Sequence, residues 1–452
     1  MRDLALIGFI AALLALGLRR PFLFVLAYIY VDTVSPHRLS YYLLNTVPLS
    51  MIVAAAALAG WLVADARKGV GLAPRQLLMG VLLAYTAWTT GHADFPVEAQ
   101  EKWDWAWKAV AFAIFLPLTL RTRLRTEACI LFLVLSVSSI VIVGGIKTVM
   151  SGGGYGVLNL MVDNNSGLYE SSTISTIAIA IIPMILWLAR FGTIFPPDWR
   201  VKAFAGALIF ACLLMPIGTE ARTGLVCIGV LAVLMLRDVR RRFFYLAGAA
   251  LVATAAVPFL PDSFTQRMAT IQGYEGDQSA NTRIAVWQWT WDFALENPLG
   301  GGFGAHRQNR ILVRTVDSRM VGDVQLVTPR LEPDEGRAYH SSFFEMLGEQ
   351  GFPGLILFLL IHGVGLVRME AVRRRYKGAG GDGEWISPLA TALQHFQIVY
   401  LAGSVFVGIA YQPFAWLVLG TQIGFDRWLA RRERERRRQP FATPPPMPAT
   451  AA

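Results

Sequence analysis

The sequence predicts an all-α polytopic membrane protein, with about 12 to 13 transmembrane helices and one large external loop containing short amphipathic helices. Composition, the recurrence of apolar runs and the placement of arginine and lysine all point there. Of 452 residues, 54% are hydrophobic and only 16% charged, against roughly 25% charged in a soluble domain. The apolar residues gather into runs close to the roughly 20 residues a helix needs to cross hydrocarbon. Arginine and lysine stand in short clusters between those runs, where they answer to the cytoplasmic bias of membrane loops rather than to nucleic acid. The net charge of +10 therefore implies no nucleic-acid partner.

In chain order the runs lie near 4–18, 22–34, 47–64, 77–91, 105–120, 128–146, 172–189, 203–218, 223–236, 243–260, 342–367, 389–410 and 413–428. Several fall below about 17 residues, which leaves room for tilted pairs, half-helices or a re-entrant hairpin. The first has signal-peptide length, yet Arg19, Arg20 and Pro21 follow it in place of a small-residue cleavage site, so a retained short helix is expected. Cys129, Cys212 and Cys227 all lie inside runs and read as small packing residues, with no redox chemistry indicated.

Orientation follows from charge. If Arg19 and Arg20 are cytoplasmic, strict alternation puts Arg67 and Lys68, Arg121 with Arg123 and Arg125, Arg190 with Arg200 and Lys202, the cluster from Arg237 to Arg242, the cluster from Arg368 to Lys377, and the tail from Arg431 on the same side. The opposite short loops carry chiefly Arg38, Lys102, Lys108, Lys147 and Arg222. The chain then divides into N-terminal membrane helices (1–146), central membrane helices (147–260) with an outer loop at 147–171 and a turn at Arg222, the large outer loop (261–340), C-terminal membrane helices (341–430), and a basic, Pro-rich cytoplasmic tail (431–452) expected to be disordered.

A loop of about 80 residues is too long for a spacer. Within it NTRIAVWQWTWDFALENP (281–298) sets Ile284, Trp287, Trp291 and Ala294 or Leu295 at three- and four-residue steps, a helix that Pro298 ends. Its tryptophans either anchor the loop at the membrane surface or share in sugar or lipid contact. The following NPLGGGFGAHR spaces Gly300, Gly302 and Ala305 like a dinucleotide fingerprint, but it follows a helix rather than a strand and reads as a glycine turn. The loop holds Arg267, Arg283, Arg307, Arg310, Arg314, Arg319, Arg330 and Arg337 and no lysine. Guanidinium suits forked recognition of phosphate or carboxylate, although pairing with the loop's acidic residues is the plainer role for any one of them. Arg222, between two apolar runs, needs an anion, a watery cavity, Glu220 or a route to the surface. His340 stands at the start of a span, where a neutral imidazole can accept a proton from a hydroxyl near pH 7. No Asp-x-Asp pair, His-Glu-x-x-His or cysteine cluster occurs, so a metal-independent chemistry without cofactor is expected.

The ARTG turn (221–224), the Arg283–Trp287 helix running into NPLGGGFG, and HSSFFEMLGEQGFPGLI (340–356), in that order, resemble the O-antigen ligase and polymerase family of bacterial inner-membrane glycosyltransferases. The N-terminal stretch MRDLALIGFIAALLALGLRRPFLFVLAYIYVDTVSPHRLSY is similar to the branch described as exosortase A system-associated O-glycosylation ligases. The resemblance implies a multi-pass protein of the bacterial inner membrane with its site facing the periplasm. It implies a glycan on undecaprenyl diphosphate as donor, an acceptor hydroxyl on protein, polysaccharide or lipid, and membrane lipid around both. It assigns Arg222 and Arg283 to the diphosphate and His340 to the general base; Arg307, Arg337, Trp287 and Tyr339 are expected, apart from the resemblance, as further substrate contacts. Ser341 stands where the family often has asparagine, which bears on how the base is oriented. A polymerase joining lipid-linked repeat units is the alternative within the family. A polytopic transporter or flippase is the alternative outside it, though no internal repeat is evident and the ionisable candidates gather outside.

Overall fold

A computed structural model describes residues 2–40, 42–44, 46–65, 71–151, 167–237, 239, 241–256, 278–321 and 324–438. The expectations for Arg67, Lys68, Arg240 and Arg267, for most of the 147–171 loop and for the tail beyond 438 lie outside the described residues.

Among the described residues the chain is helical apart from one two-stranded antiparallel sheet. Every apolar run read from the sequence overlaps a helix: Arg2–Arg19, Phe22–Val34, Leu49–Ala64, Pro74–Gly91, Pro96–Thr119, Arg123–Ser151, the pair Ser171–Ala180 and Ile182–Phe191, Trp199–Gly218, Arg222–Leu236, Arg242–Ala256, Ser342–Tyr376, Gly383–Ser404 and Pro413–Arg438, although the 389–410 run continues past Ser404 into a non-helical connection and 257–260 lie outside the described residues. Among the described residues four stretches are long and apolar enough to cross a membrane, namely Arg123–Met150, Ser171–Phe191, Trp199–Gly218 and Ser342–Tyr376. Phe22–Val34, Leu49–Ala64 and Arg222–Leu236 are apolar but shorter. The others fall outside by length, charge or polar content; Pro96–Thr119, for example, carries Glu98, Glu101, Lys102, Asp104 and Lys108. The protein is thus an integral membrane protein by its apolar helices.

The largest core cluster lies among Phe22–Val34, Arg123–Ser151, the Ser171–Phe191 stretch, Gly383–Ser404 and Pro413–Arg438, with Ile29, Val137, Ile177, Leu389 and Phe414 buried in it. A second gathers Met79, Phe358 and Trp416 around Phe303. The helices run between two contrasting ends. At one, segments expected to be cytoplasmic are tied together: Arg125 reaches Asp65 at 2.8 and 3.0 Å, Arg123 donates to Phe191 O at 2.9 Å, Arg431 donates to Leu120 O at 2.9 Å, and Arg368 pairs with Asp426. At the other, the segments expected outside surround a cavity.

The large loop departs from the all-α expectation. Its helix, Gln278–Glu296, is present, but its buried face is Val286, Thr290, Phe293 and Ala294, while Ile284, Trp291 and Leu295 are exposed. The rest is a hairpin: β1, Arg310–Val321, pairs antiparallel with β2, Val324–Glu335, in a register closing at Val321↔Val324. Runs rich in Val, Thr and Leu on either side of Gly322 and Asp323 are a hairpin pattern, and Pro329 and Pro333 are tolerated because both strands are edges. Ile311 and Val313 of β1 pack with Val286 and Tyr339 into a small core of their own.

Candidate active site

The site begins with a break in a helix. Gly351 (φ 61°, ψ −167°) and Pro353 interrupt Ser342–Tyr376, which frees carbonyls of the preceding turn from their usual i+4 donors. The glycine turn takes those places: Gly301 N donates to Gly348 O at 3.0 Å, Gly302 N to Glu349 O at 2.9 Å, and Phe352 N to Pro298 O at 3.0 Å. Backbone can approach this closely only without side chains, since a Cβ on Gly302 would meet Ala93 and one on Gly300 would meet the Gly351 backbone. The NPLGGGFG motif is therefore the clasp that docks the large loop on the membrane helices. It drops Phe303, fully buried, into the second core cluster.

Three further ties fix the segment carrying His340. Asn309 receives Arg337 N on its side-chain oxygen at 2.9 Å and donates to Arg337 O at 2.6 Å. Trp287 donates to Tyr339 O at 2.8 Å and stacks on Phe344 with centroids 5.0 Å apart. Ser342 Oγ donates to Val407 O and accepts from Ile409 N, both at 2.9 Å, joining the start of the helix to the 405–412 connection.

The result is a cavity of about 1060 Å³ lined by Arg222, Arg283 and His340 together. Its rim is assembled from the ends of Phe22–Val34, Pro96–Thr119, Ser171–Ala180, Arg222–Leu236 and Ser342–Tyr376 with the 406–413 segment. Among the described residues three non-glycine positions have positive φ, Ser35 (51°), Glu220 (53°) and His340 (47°), and all three line this cavity. Each costs on the order of 1–3 kcal/mol, and such strain gathers where function holds a side chain in place. Glu220 turns the chain between Trp199–Gly218 and Arg222–Leu236 and so sets Arg222 at a helix N-terminus facing the hollow, where the helix dipole adds to its positive charge.

His340 is reached from the cavity yet surrounded by protein. Burial and the neighbouring Arg283 hold its imidazole below the ordinary histidine value, Arg337 adding to the effect and the Glu170 carboxylate opposing it. A second imidazole, His306, lines the same hollow and is pushed down to about 4, by burial first and then by Lys102, Arg307 and His340, against Glu345. Both rings are therefore neutral near pH 7 and able to accept a proton. Glu170 is fixed by capping Ser171–Ala180, accepting from Ser172 N at 3.0 Å and from Thr173 N.

Sequence reasoning missed the other wall. Lys102 Nζ lies 2.6 Å from Glu345 and 2.6 Å from Glu349, and 4.9 Å from the Phe303 ring centroid. Glu345 also accepts from Ala410 N at 3.0 Å and Glu349 from Gly304 N at 3.3 Å. One ammonium thereby joins Pro96–Thr119, the His340-bearing helix, the glycine turn and the 405–412 connection, and its two carboxylates raise its affinity for the proton despite burial. A signal existed. Of the five basic residues that stand out against the charge bias of the loops, Arg38, Lys102, Lys108 and Arg222 line the cavity and Lys147 does not.

The remaining expected substrate contacts divide. Tyr339 lines the cavity; its hydroxyl is buried beside Gly348. Trp287, Arg307 and Arg337 do not line it. Arg307 pairs with Glu98 at 3.3 Å and Arg337 with Asp334, so the plainer role, pairing with acidic residues, describes both. Trp287 acts on the backbone beside His340 rather than on the hollow.

A helical bundle with apolar helices long enough to cross a membrane, whose large loop is clasped beside a polar cavity, defines an integral membrane protein with a candidate site at one end of the bundle. Residues 207–359, the stretch that carries Arg222, Arg283 and His340, match the family model for O-antigen ligase. Residues 1–193 match a family of unknown function (DUF5935). No curated protein matches the chain.

Proposed function

We propose that the protein transfers a glycan from undecaprenyl diphosphate to an acceptor hydroxyl at the periplasmic face of the bacterial inner membrane. In the same reading the 12 to 13 apolar helices span that membrane and the N-terminal half belongs to the exosortase-associated branch. The observation that supports it is the meeting of Arg222, Arg283 and His340, drawn from segments over 50 residues apart, on one cavity. The neutral His340 imidazole accepts the proton of the acceptor hydroxyl as its oxygen attacks the anomeric carbon. The bond from that carbon to the diphosphate oxygen breaks, and its electron pair leaves with the lipid diphosphate. Arg222 and Arg283 hold the charge that develops there, as forked guanidinium groups suit. The chemistry is written without a metal.

The test is purified protein with undecaprenyl-diphosphate-linked glycan and candidate acceptors, comparing wild type with Arg222→Ala, Arg283→Ala and His340→Ala. Each arginine variant should lose about 10- to 150-fold, from roughly 1.5–3 kcal/mol of charge-assisted contact. The histidine variant should lose about 10²- to 10⁴-fold. Full activity in all three overturns the mechanism, and transfer between donor molecules alone makes the protein a polymerase.

A further inference from the structure

We propose that the cavity wall built by the N-terminal region is a saccharide subsite, holding sugar hydroxyls of one of the two reactants to one side of the diphosphate. The proposal rests on the glycan-transfer reading above and assigns a task to a region whose family match carries no function.

The wall has two parts. One is the end of Phe22–Val34 with the strained turn at Ser35, which leads into Pro36–Leu39 and presents Asp32, Thr33 and His37 to the hollow. The other is the first half of Pro96–Thr119, where Asp104, Trp105 and Lys108 face the hollow at three- and four-residue steps. The parts adjoin, because Tyr28 donates to Lys108 O at 3.5 Å and Lys108 acts electrostatically on both Asp32 and His37. Tyr169 donates to Val34 O at 2.7 Å, which sets this wall one residue from Glu170, the carboxylate that acts on His340.

The chemistry of the wall selects the ligand. Among the described residues, Asp32 Oδ2, Thr33 Oγ1 and His37 Nδ1 are buried side-chain atoms without a hydrogen-bond partner, whereas buried polar atoms in native proteins are nearly always satisfied. They offer a carboxylate acceptor, a hydroxyl and a ring nitrogen within six residues of one another, all on a cavity. Tyr28 engages Asp32, so the carboxylate is held in place at the cavity wall while one of its buried oxygens has no partner among the described residues. Trp105 is 41% exposed, an indole face within a polar lining. A lipid tail would leave the polar atoms unmet. A phosphate would be repelled by Asp32 and Asp104, with Lys108 already shared with Asp32. Clustered acceptors and donors of near-balanced charge beside an aromatic face suit a hydroxyl-rich, uncharged ring.

The saccharide can come from the donor glycan or from the acceptor, and the experiment separates these. Full-length protein in lipid nanodiscs is assayed as wild type, Asp32→Asn and Trp105→Ala, titrating a donor with a long or a single-sugar glycan in one arm and a saccharide acceptor in the other. Asp32→Asn should raise KM about tenfold in one arm through the loss of a charge-assisted hydrogen bond, and Trp105→Ala should raise KM in the same arm through the loss of the ring contact, both with kcat within about twofold. Affinity for free undecaprenyl diphosphate, which carries no sugar, should stay unchanged. Weakened binding of undecaprenyl diphosphate, a fall in kcat with both KM values intact, or no change at all overturns the subsite. If the wild type transfers nothing, the transfer reading fails. The subsite is then judged alone, by binding of the carrier-free oligosaccharide to wild type and its loss in Asp32→Asn and Trp105→Ala, and absence of any such binding to wild type overturns it.

Discussion

Arg125 and Arg222 sit at opposite ends of the same helices. Phe22–Val34 begins beneath Arg125, whose guanidinium lies 5.1 Å from the Phe22 ring centroid, and ends at the cavity with Asp32 and Thr33. Ser171–Phe191 starts at the cavity and ends on Arg123. At the first end, arginines meet carboxylates directly: Arg125 with Asp65, Arg368 with Asp426, Arg373 and Arg374 with Glu370, Arg375 with Glu433. At the second, Arg222, Arg283, two histidines and several carboxylates are arranged around a hollow. The same residue type therefore closes the bundle at one end and lines an open site at the other. What distinguishes the ends is backbone strain as well as charge, because the non-glycine positive-φ residues among those described all belong to the cavity.

The sharpest way to break that comparison is to exchange one arginine at each end. Arg222→Lys keeps the charge but not the fork, so transfer should stay well below wild type, with the thermal midpoint little moved. Arg125→Lys should leave transfer intact. Equal losses in activity from the two substitutions would erase the distinction between the ends.

Lys102→Met carries the next largest effect. It leaves Glu345 and Glu349 facing each other without their cation, Glu349 being 1% exposed, and stripping one partner from such a buried group is destabilising by roughly 3–5 kcal/mol. Denaturation in detergent should show the loss, and Lys102→Met with Glu349→Gln should recover part of it, since one carboxylate can still be met by backbone amides. A fully stable single variant would mean that the Lys102 network does not hold the cavity together.

Much of the helical framework is legible in the sequence, because a run of apolar residues is a local signal and each run overlaps a helix, the end of the 389–410 run forming the non-helical connection at the cavity instead. Arg222, Arg283 and His340 stood out through local motifs as well, though the work assigned to them is a proposal that the assays above decide. The facing wall is non-local. Lys102 meets residues 243 and 247 positions away, and no periodicity announces such a meeting; only its departure from the charge bias marked it. The hairpin is harder to see in the sequence, because arginines interleave with the β-branched residues of Arg310–Val321 and break their apolar pattern. The Gln278–Glu296 helix was found but turned on its axis, since its packing partners, Ile311 and Tyr339, come from later in the chain.

The pH dependence sharpens the comparison from the cavity side. Only the neutral imidazole of His340 accepts a proton, and its surroundings hold its pKa below the ordinary 6.5. Activity should therefore persist as pH falls through 6.5 and drop only below it, giving kcat/KM an acid limb on the low side of that value. Arg337 lies off the cavity and contributes to the lowering, so Arg337→Gln should move the limb upward while leaving donor affinity unchanged. A limb that starts above pH 6.5 in the wild type, or that ignores Arg337, would remove His340 from the role of base.

The smallest expected effect belongs to the closed end, and it is informative for that reason. Arg368 makes a forked pair with Asp426 at 3.0 and 2.8 Å, but its side chain is 53% exposed, where water and salt compete for both charges. Exposed pairs of this kind contribute about 0–1 kcal/mol, so Arg368→Ala should move the thermal midpoint by at most a few degrees and leave transfer at the wild-type rate. High salt should weaken the wild-type pair toward the variant's stability, since the Debye length falls to about 3 Å at 1 M. Should Arg368→Ala slow transfer as much as Arg222→Ala does, charge at the closed end would reach the cavity through the kinked Ser342–Tyr376 helix that carries both Arg368 and Glu345, and the two ends would have to be treated as one coupled unit.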